Sequence, residues 1–143
     1  MKLSTRSRYG TRILLELARH PGGEPVQVSE IARQQKIPGK YVEQLIRTLK
    51  SVQLIKSVRG SKGGHQLNKA ASQITVGQVV RLFEGHTDLV ECVGHPDKCS
   101  RSSECRVRGV WIEATEAMYE KLDGVTIADL LTETQTPFTH RRC

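Results

Sequence analysis

Apolar side chains return at helical spacing between residues 4 and 19, where Tyr9, Ile13 and Leu17 are flanked by Leu14 and Ala18. That period predicts a helix, capped by Ser4 or Thr5 and ended by Pro21-Gly22-Gly23. Residues 26–28 read as a short extended piece. Ser29 then reads as an N-cap, with Glu30 suited to the positive end of a helix over 30–35 that buries Ile31 and Ala32. Lys36-Ile37-Pro38-Gly39 has the composition of a tight turn. A further helix over 40–52 carries Val42, Leu45, Ile46 and Leu49 on its inner stripe, leaving Lys40, Tyr41, Glu43, Gln44 and Arg47 largely outside it. Two short helices joined by a turn of about four residues make a helix-turn-helix.

The period then changes. Residues 55–58 alternate as a strand, Arg59-Gly60-Ser61-Lys62-Gly63-Gly64-His65 follows, and Gln66-Leu67-Asn68 returns, which predicts a hairpin with a basic, glycine-rich tip, or wing. The tip lacks the spacing of a phosphate-binding loop, so nucleotide hydrolysis is not indicated. Thr75 is placed to cap a helix over 76–84 with Val76, Val79, Val80 and Phe83 on one face, stopped by Gly85. Residues 86–103 show little periodicity and read as a loop. A long helix over 104–122 follows, with Val107, Val110/Trp111, Ala114, Met118 and Leu122 in one stripe. No later element is large enough to cover that stripe, so the same helix of a second subunit is the expected partner, with packing on the chain's own helices contributing. Gly124 ends this helix, Thr126 caps a last short one over 127–131, and the remainder reads as a flexible tail. The expected fold is mainly α with a small β-hairpin wing: a winged helix-turn-helix over 1–85, a cysteine-containing sensor loop over 86–103, a dimerisation helix with a short C-terminal helix over 104–132, and a tail over 133–143.

Charge sharpens this picture. Of 143 residues, 1–83 hold fifteen Lys/Arg against four Asp/Glu, while 84–143 hold seven against eleven. From Gln44 to Phe83 there are seven basic side chains and no acid. Such asymmetry points to a polyanion-binding module joined to something else. A hydrophobic content of 37% suits a subunit that completes its core by dimerising. No run reaches the ~18 apolar residues needed to cross a membrane, and the first residues lack a signal-peptide stretch, so the expected location is cytoplasmic. No nucleophile–base or metal-hydrolase arrangement appears, so neither an enzyme nor a small-molecule substrate is expected.

Cys92, Cys99 and Cys105 fall within fourteen residues of a polar segment, apart from Cys143. Disulfides are uncommon in a cytosolic protein, and zinc sites usually contain a closer pair. Cations such as Lys98, Arg101, Arg106 and Arg108 favour thiolates, the form that ligates soft metals and iron–sulfur clusters. A metal-free redox switch, or incidental cysteines, fits the same spacing.

Taken together, the opening Met1-Lys2-Leu3-Ser4-Thr5-Arg6-Ser7-Arg8-Tyr9-Gly10, the helix-turn-helix from Val28 to Leu45, Val58-Arg59-Gly60-Ser61-Lys62-Gly63-Gly64, Ile74-Thr75-Val76 with Glu84-Gly85, the three-cysteine segment and Trp111 resemble the IscR/NsrR-type winged-helix regulators over residues 1 to about 132. The resemblance implies a homodimer on double-stranded DNA, with the second helix of the motif in the major groove and the wing in the minor groove. Ser29, Lys40, Tyr41, Glu43, Gln44, Arg47, Arg59, Gly60, Ser61 and Lys62 are then the expected DNA contacts. It also implies an iron–sulfur cluster on Cys92, Cys99 and Cys105, 2Fe–2S in preference to 4Fe–4S. IscR-like members add a histidine three residues after the last cysteine, where this chain has Arg108, which cannot ligate iron. Relatives that draw an acid from the partner's first helix would use the place of Arg8 here. The fourth ligand therefore stays open, with His95, His86, Cys143, water or an outside thiol available. A thiol redox switch or cysteine-metabolism regulator on the same fold is the alternative.

Overall fold

A computed structural model describes residues 2–85 and 87–132. The elements run α1 Thr5–Arg19, α2 Val28–Gln35, α3 Gly39–Ser51, β1 Ile55–Val58, β2 Gly64–Leu67, α4 Val76–Glu84, α5 Glu91–Gly94, α6 Arg106–Asp123 and α7 Ile127–Thr132, with short 3-10 turns at Pro21–Gly23, Ala71–Gln73 and Pro96–Lys98. The mainly helical winged fold expected from the pattern is present. The tail over 133–143 and His86 lie outside the described residues.

One apolar cluster unites the first two thirds of the chain. Ile13, Leu14 and Leu17 of α1 meet Ile31, Ile37, Val42, Leu45, Leu49, Ile74, Val79, Phe83 and Ile127, all buried. Each such side chain contributes about 1.5–3 kcal/mol when removed from water. α1 is thus the central rod, packed on α2, α3, α4 and α7. The C-terminal helix is stitched on by backbone: Val76 N–H donates to Val125 O (2.9 Å) and Ile127 N–H to Ile74 O (2.9 Å). Thr75 and Gln78 form a reciprocal cap at the start of α4, and Thr126 and Asp129 do the same for α7.

Three local expectations change. Ser29 is not a cap, because α2 begins at Val28 with Gln27 at its N-cap. Both backbone groups of Val26 bond His65 at 2.8 Å, and the Gln27 carbonyl already accepts from Glu30 N–H (3.0 Å) and Ile31 N–H (3.1 Å). The segment after Gly85 is more than a loop, containing the single turn α5 and a 3-10 turn. The apolar stripe on α6 is not uniform: its first half faces outward, while Ala114, Met118 and Leu122 are half-buried. Val107, Val110 and Trp111 are exposed at 52, 57 and 38%, and the buried positions are Thr115 and Tyr119. α6 packs on α4 largely through polar contacts. Arg81 makes two bonds to the Asp123 carboxylate (2.6 and 2.7 Å) and lies 4.3 Å from the Tyr119 ring centroid.

The Glu84 carboxylate closes the N-terminus of α1. Its Oε1 accepts from Ser4 N–H (3.0 Å), Ser4 Oγ (2.6 Å) and the buried Ser7 hydroxyl. Burial pushes this carboxyl up, but the Ser4 and Ser7 hydrogen bonds outweigh it and hold the group below its ordinary 4.5. A lowered folded value means that the stabilisation is complete above the ordinary value and is lost as pH falls through the folded one. Glu84→Gln is therefore expected to cost about 1–3 kcal/mol at neutral pH. It should also shrink the drop in urea midpoint between about pH 7 and about pH 3. An unchanged drop would remove Glu84 from this role.

Candidate nucleic-acid interface and cysteine segment

The inner stripe of α3 decides what faces out. With Val42, Leu45, Ile46 and Leu49 buried, Lys40, Glu43, Gln44 and Arg47 occupy one exposed face at three- and four-residue spacing. Among the described residues, neither Lys40 nor Arg47 makes an ion pair. Tyr41 is half-buried instead. Its ring meets Tyr9 edge-on at 6.0 Å, and its hydroxyl lies 3.1 Å from the Thr5 hydroxyl, so only its rim is free for a partner. Ser29 is exposed on the first turn of α2. α2 turns into α3 through Lys36, held left-handed at φ 54°.

The wing is the antiparallel pair β1–β2, with Ile55 opposite Leu67 and Val58 opposite Gly64. Arg59, Gly60, Ser61 and Lys62 are exposed at its tip. The turn closes through Gly63 N–H to Gly60 O (3.0 Å), and Gly60 takes φ 115°, a conformation that favours glycine. The wing is fixed to the body by His65. Its backbone pairs with Val26, and its Nδ1 lies 3.3 Å from the Ser57 hydroxyl. Burial, then the nearby Lys50 cation, push the His65 imidazole below its ordinary 6.5, while Glu43 acts in the opposite direction. The imidazole thus senses charges on both ends of α3.

The three cysteines sit on successive turns. Cys92 lies in α5 and is half-buried; Cys99 ends the 3-10 turn and is half-buried; Cys105 is the N-cap of α6 and is exposed. His95 is the exposed C-cap of α5. The donors are soft and suit iron–sulfur ligation in type. As they stand, no three His, Cys, Asp or Glu side chains among the described residues are grouped closely enough to hold a metal ion. Arg108 points back at this segment. Its Nε donates to Cys92 O (2.8 Å) and its Nη2 to Val93 O (3.3 Å). Leu89 N–H and Thr87 N–H reach Thr115 Oγ1 and Tyr119 Oη of α6, each at 3.3 Å. His86 and Cys143 lie outside the described residues.

Residues 3–133 match the family model Rrf2, described as iron-dependent transcriptional regulators. The chain belongs to the Rrf2 family. It is a helix-turn-helix, DNA-binding transcriptional regulator rather than an enzyme. It is 47% identical over 131 residues to Protein rrf2 of Nitratidesulfovibrio vulgaris, covering 92% of this chain and 87% of that one. It resembles the solved structure of CymR from B. subtilis (35% identity, TM-score 0.77, 91% of this chain and 95% of that chain). It also resembles the T. potens IscR structure (34% identity, TM-score 0.74, 92% and 86%). No helix among the described residues of this regulator is long and apolar enough to cross a membrane.

Three roles escaped the pattern of the sequence: the Thr5–Tyr41 contact, the His65 anchor and the Arg108 bonds. Each joins residues far apart in the chain, so no local signal marks it. For His65 the sign of the pH effect follows from its lowered value. Between the ordinary 6.5 and that lower value the unfolded chain binds the extra proton, so stability falls as pH falls through this window. His65→Gln is expected to flatten the dependence of melting temperature on pH across about pH 7 to 5. An equally steep profile in the variant would show that other groups cause it.

Proposed function

We propose that this regulator binds duplex DNA as a homodimer and that its binding responds to the state of Cys92, Cys99 and Cys105. The observation that carries the DNA half is a set of exposed cations without an ion pair among the described residues: Lys40 and Arg47 on α3, and Arg59 and Lys62 on the wing. Glu43 and Gln44 lie among them as groups able to read base edges, the acid by accepting from a cytosine amino group. Arg59 suits a narrow minor groove, Lys62, Gly60 and Ser61 suit phosphate and sugar, and Ser29, Lys40 and Tyr41 suit the backbone flanking the major groove. The exposed Val107, Val110 and Trp111 support self-association through α6, since an apolar strip of this kind needs a partner. The dimer would set the spacing of two half-sites.

For the sensing half, the reading is an iron–sulfur cluster, which the family description and the IscR neighbour support. Cys92, Cys99 and Cys105 would hold it, and the group would supply sensitivity to iron supply, oxidant or nitric oxide. The fourth donor is open, since the Arg108 guanidinium cannot ligate iron, and His95 is an exposed candidate. A second reading has its own support. The thiols stand apart, with Cys105 exposed and Cys92 and Cys99 half-buried, and the CymR neighbour is described as a global cysteine regulator, which fits a metal-free thiol switch.

Arg59→Ala is expected to weaken operator binding by about 1–3 kcal/mol and to relax specificity at one position, while Lys62→Ala weakens all duplexes alike and lowers the salt slope. Equal, sequence-independent losses for both would make Arg59 a phosphate contact. Anaerobic purification is expected to give iron, sulfide and visible charge-transfer absorption that Cys92→Ala abolishes while sedimentation still shows a dimer. A colourless, iron-free wild type that forms a reversible disulfide would select the second reading.

A further inference from the structure

We propose that Arg108 is the positioning residue of the cysteine segment, holding Cys92 in fixed relation to Cys105 through hydrogen bonds to main-chain carbonyls. The inference rests on the reading that these cysteines are the sensor, and it applies to a cluster or to a thiol switch alike.

The geometry is specific. The Arg108 side chain donates to Cys92 O at 2.8 Å and to Val93 O at 3.3 Å, from a position one turn into the helix whose N-cap is Cys105. Cys92 is sixteen positions away along the chain, so this is a tertiary tie. The two carbonyls belong to α5, a helix of four residues, whose length leaves little room for intrahelical bonds to hold them. A cation at that end of a helix also meets the negative pole of its peptide dipoles. The guanidinium makes no ion pair among the described residues, and it is half-buried against the segment. A planar fork suits this work, because two of its N–H groups meet two adjacent acceptors without rearrangement.

The Lys98–Glu91 pair across the segment, 3.8 Å apart between groups exposed at 52 and 80%, is of the kind that contributes little, and the bonds of Leu89 N–H to Thr115 Oγ1 and of Thr87 N–H to Tyr119 Oη hold the chain ahead of α5 and not Cys92 itself. Cys105 has no side-chain cap bond at the head of α6. Without the Arg108 fork, the carbonyls of Cys92 and Val93 would lose their side-chain ties to α6, and Cys92 would sample a wider range of positions relative to Cys105. A ligand set or a disulfide demands a narrow range of such positions. The guanidinium thus supplies through hydrogen bonds the closure that a fourth protein ligand would give through a metal bond.

The test uses the full-length protein and compares wild type with Arg108→Ala and Arg108→Lys. The metal-free readout is the rate at which each cysteine is alkylated by iodoacetamide, resolved by peptide mass spectrometry, with the melting temperature followed alongside. In Arg108→Ala, Cys92 is expected to react about tenfold faster, the factor that about 1.4 kcal/mol of local tethering represents. Cys99 should stay within about twofold and the melting temperature should hold. Arg108→Lys keeps the charge but loses the fork, so its Cys92 rate is expected to lie near that of the Ala variant. In the iron- and sulfide-loaded protein, both variants are expected to lose iron to a chelator faster than wild type. An unchanged Cys92 rate in Arg108→Ala would overturn the proposal, and so would equal acceleration of all three cysteines with a lowered melting temperature. Wild type that takes up no iron would remove the cluster reading, and the alkylation rates would still decide the role of Arg108.

Discussion

Everything presented to DNA depends on the burial of four side chains, Val42, Leu45, Ile46 and Leu49. Their insertion into the cluster around Ile13, Leu14 and Leu17 fixes the rotation of α3 about its own axis. A helix advances about 100° per residue, so a shift of one position would turn Lys40, Glu43, Gln44 and Arg47 toward the side of the molecule. The exposed face of α3, proposed above to read a duplex, is thus aimed by the face that avoids water. The wing is held by the same economy. Ile55 and Leu54 are buried, and the pairing of Val26 with His65 binds the base of the hairpin to the entry of α2. Only the tip, from Arg59 to Lys62, is left to project.

The long helix obeys a different rule. α6 meets the body through hydroxyls and an ion pair beside half-buried apolar side chains: Thr115, Tyr119 and Asp123 face α4 and the preceding segment. The Arg81 guanidinium beside Asp123 holds that carboxyl below its ordinary 3.8. Because about two-fifths of each side chain is exposed, the pair specifies direction more than it adds stability. Polar contacts of this kind fix an orientation and are cheaper to exchange than a packed core. Val107, Val110 and Trp111 stay on the outside of α6.

Long periodic segments were legible in the sequence, because helices α1, α3 and α4 each repeat their buried positions several times and α6 repeats apolar ones. The wing was legible from its glycines and alternation. Three features were not. Ser29 has the chemistry of a cap, yet the Val26–His65 bridge starts the helix earlier, and that bridge joins residues far apart in the chain. α5 and its 3-10 turn are too short to show any period. Thr115 and Tyr119 read as polar and were passed over in favour of the apolar stripe beside them, since only the fold shows that their hydroxyls meet Thr87, Leu89 and Trp111. At the candidate site, the exposure of Lys40, Glu43, Gln44, Arg47, Arg59 and Lys62 follows directly from the pattern. Arg108 was recognisable only as a residue that cannot ligate iron, and its bonds to Cys92 and Val93 needed tertiary structure to appear.

The placement of the cysteine segment limits how it can influence the DNA-facing surface. α5 packs mainly on α6 and on the adjacent 3-10 turn, α6 packs on α4, α4 on α1, and α1 on α3. On the proposed reading, a change at Cys92 would reach α3 through this succession of packed elements, by moving α6 relative to α4 or by changing what α6 offers a second subunit. The second route needs less distortion, because the well-packed α1–α3–α4 core resists partial rearrangement, whereas the exposed side of α6 faces no such restraint. Coupling between a thiol sensor and DNA in this chain is therefore expected to be a property of the assembled dimer, expressed as the separation of two recognition helices and not as a distortion within one.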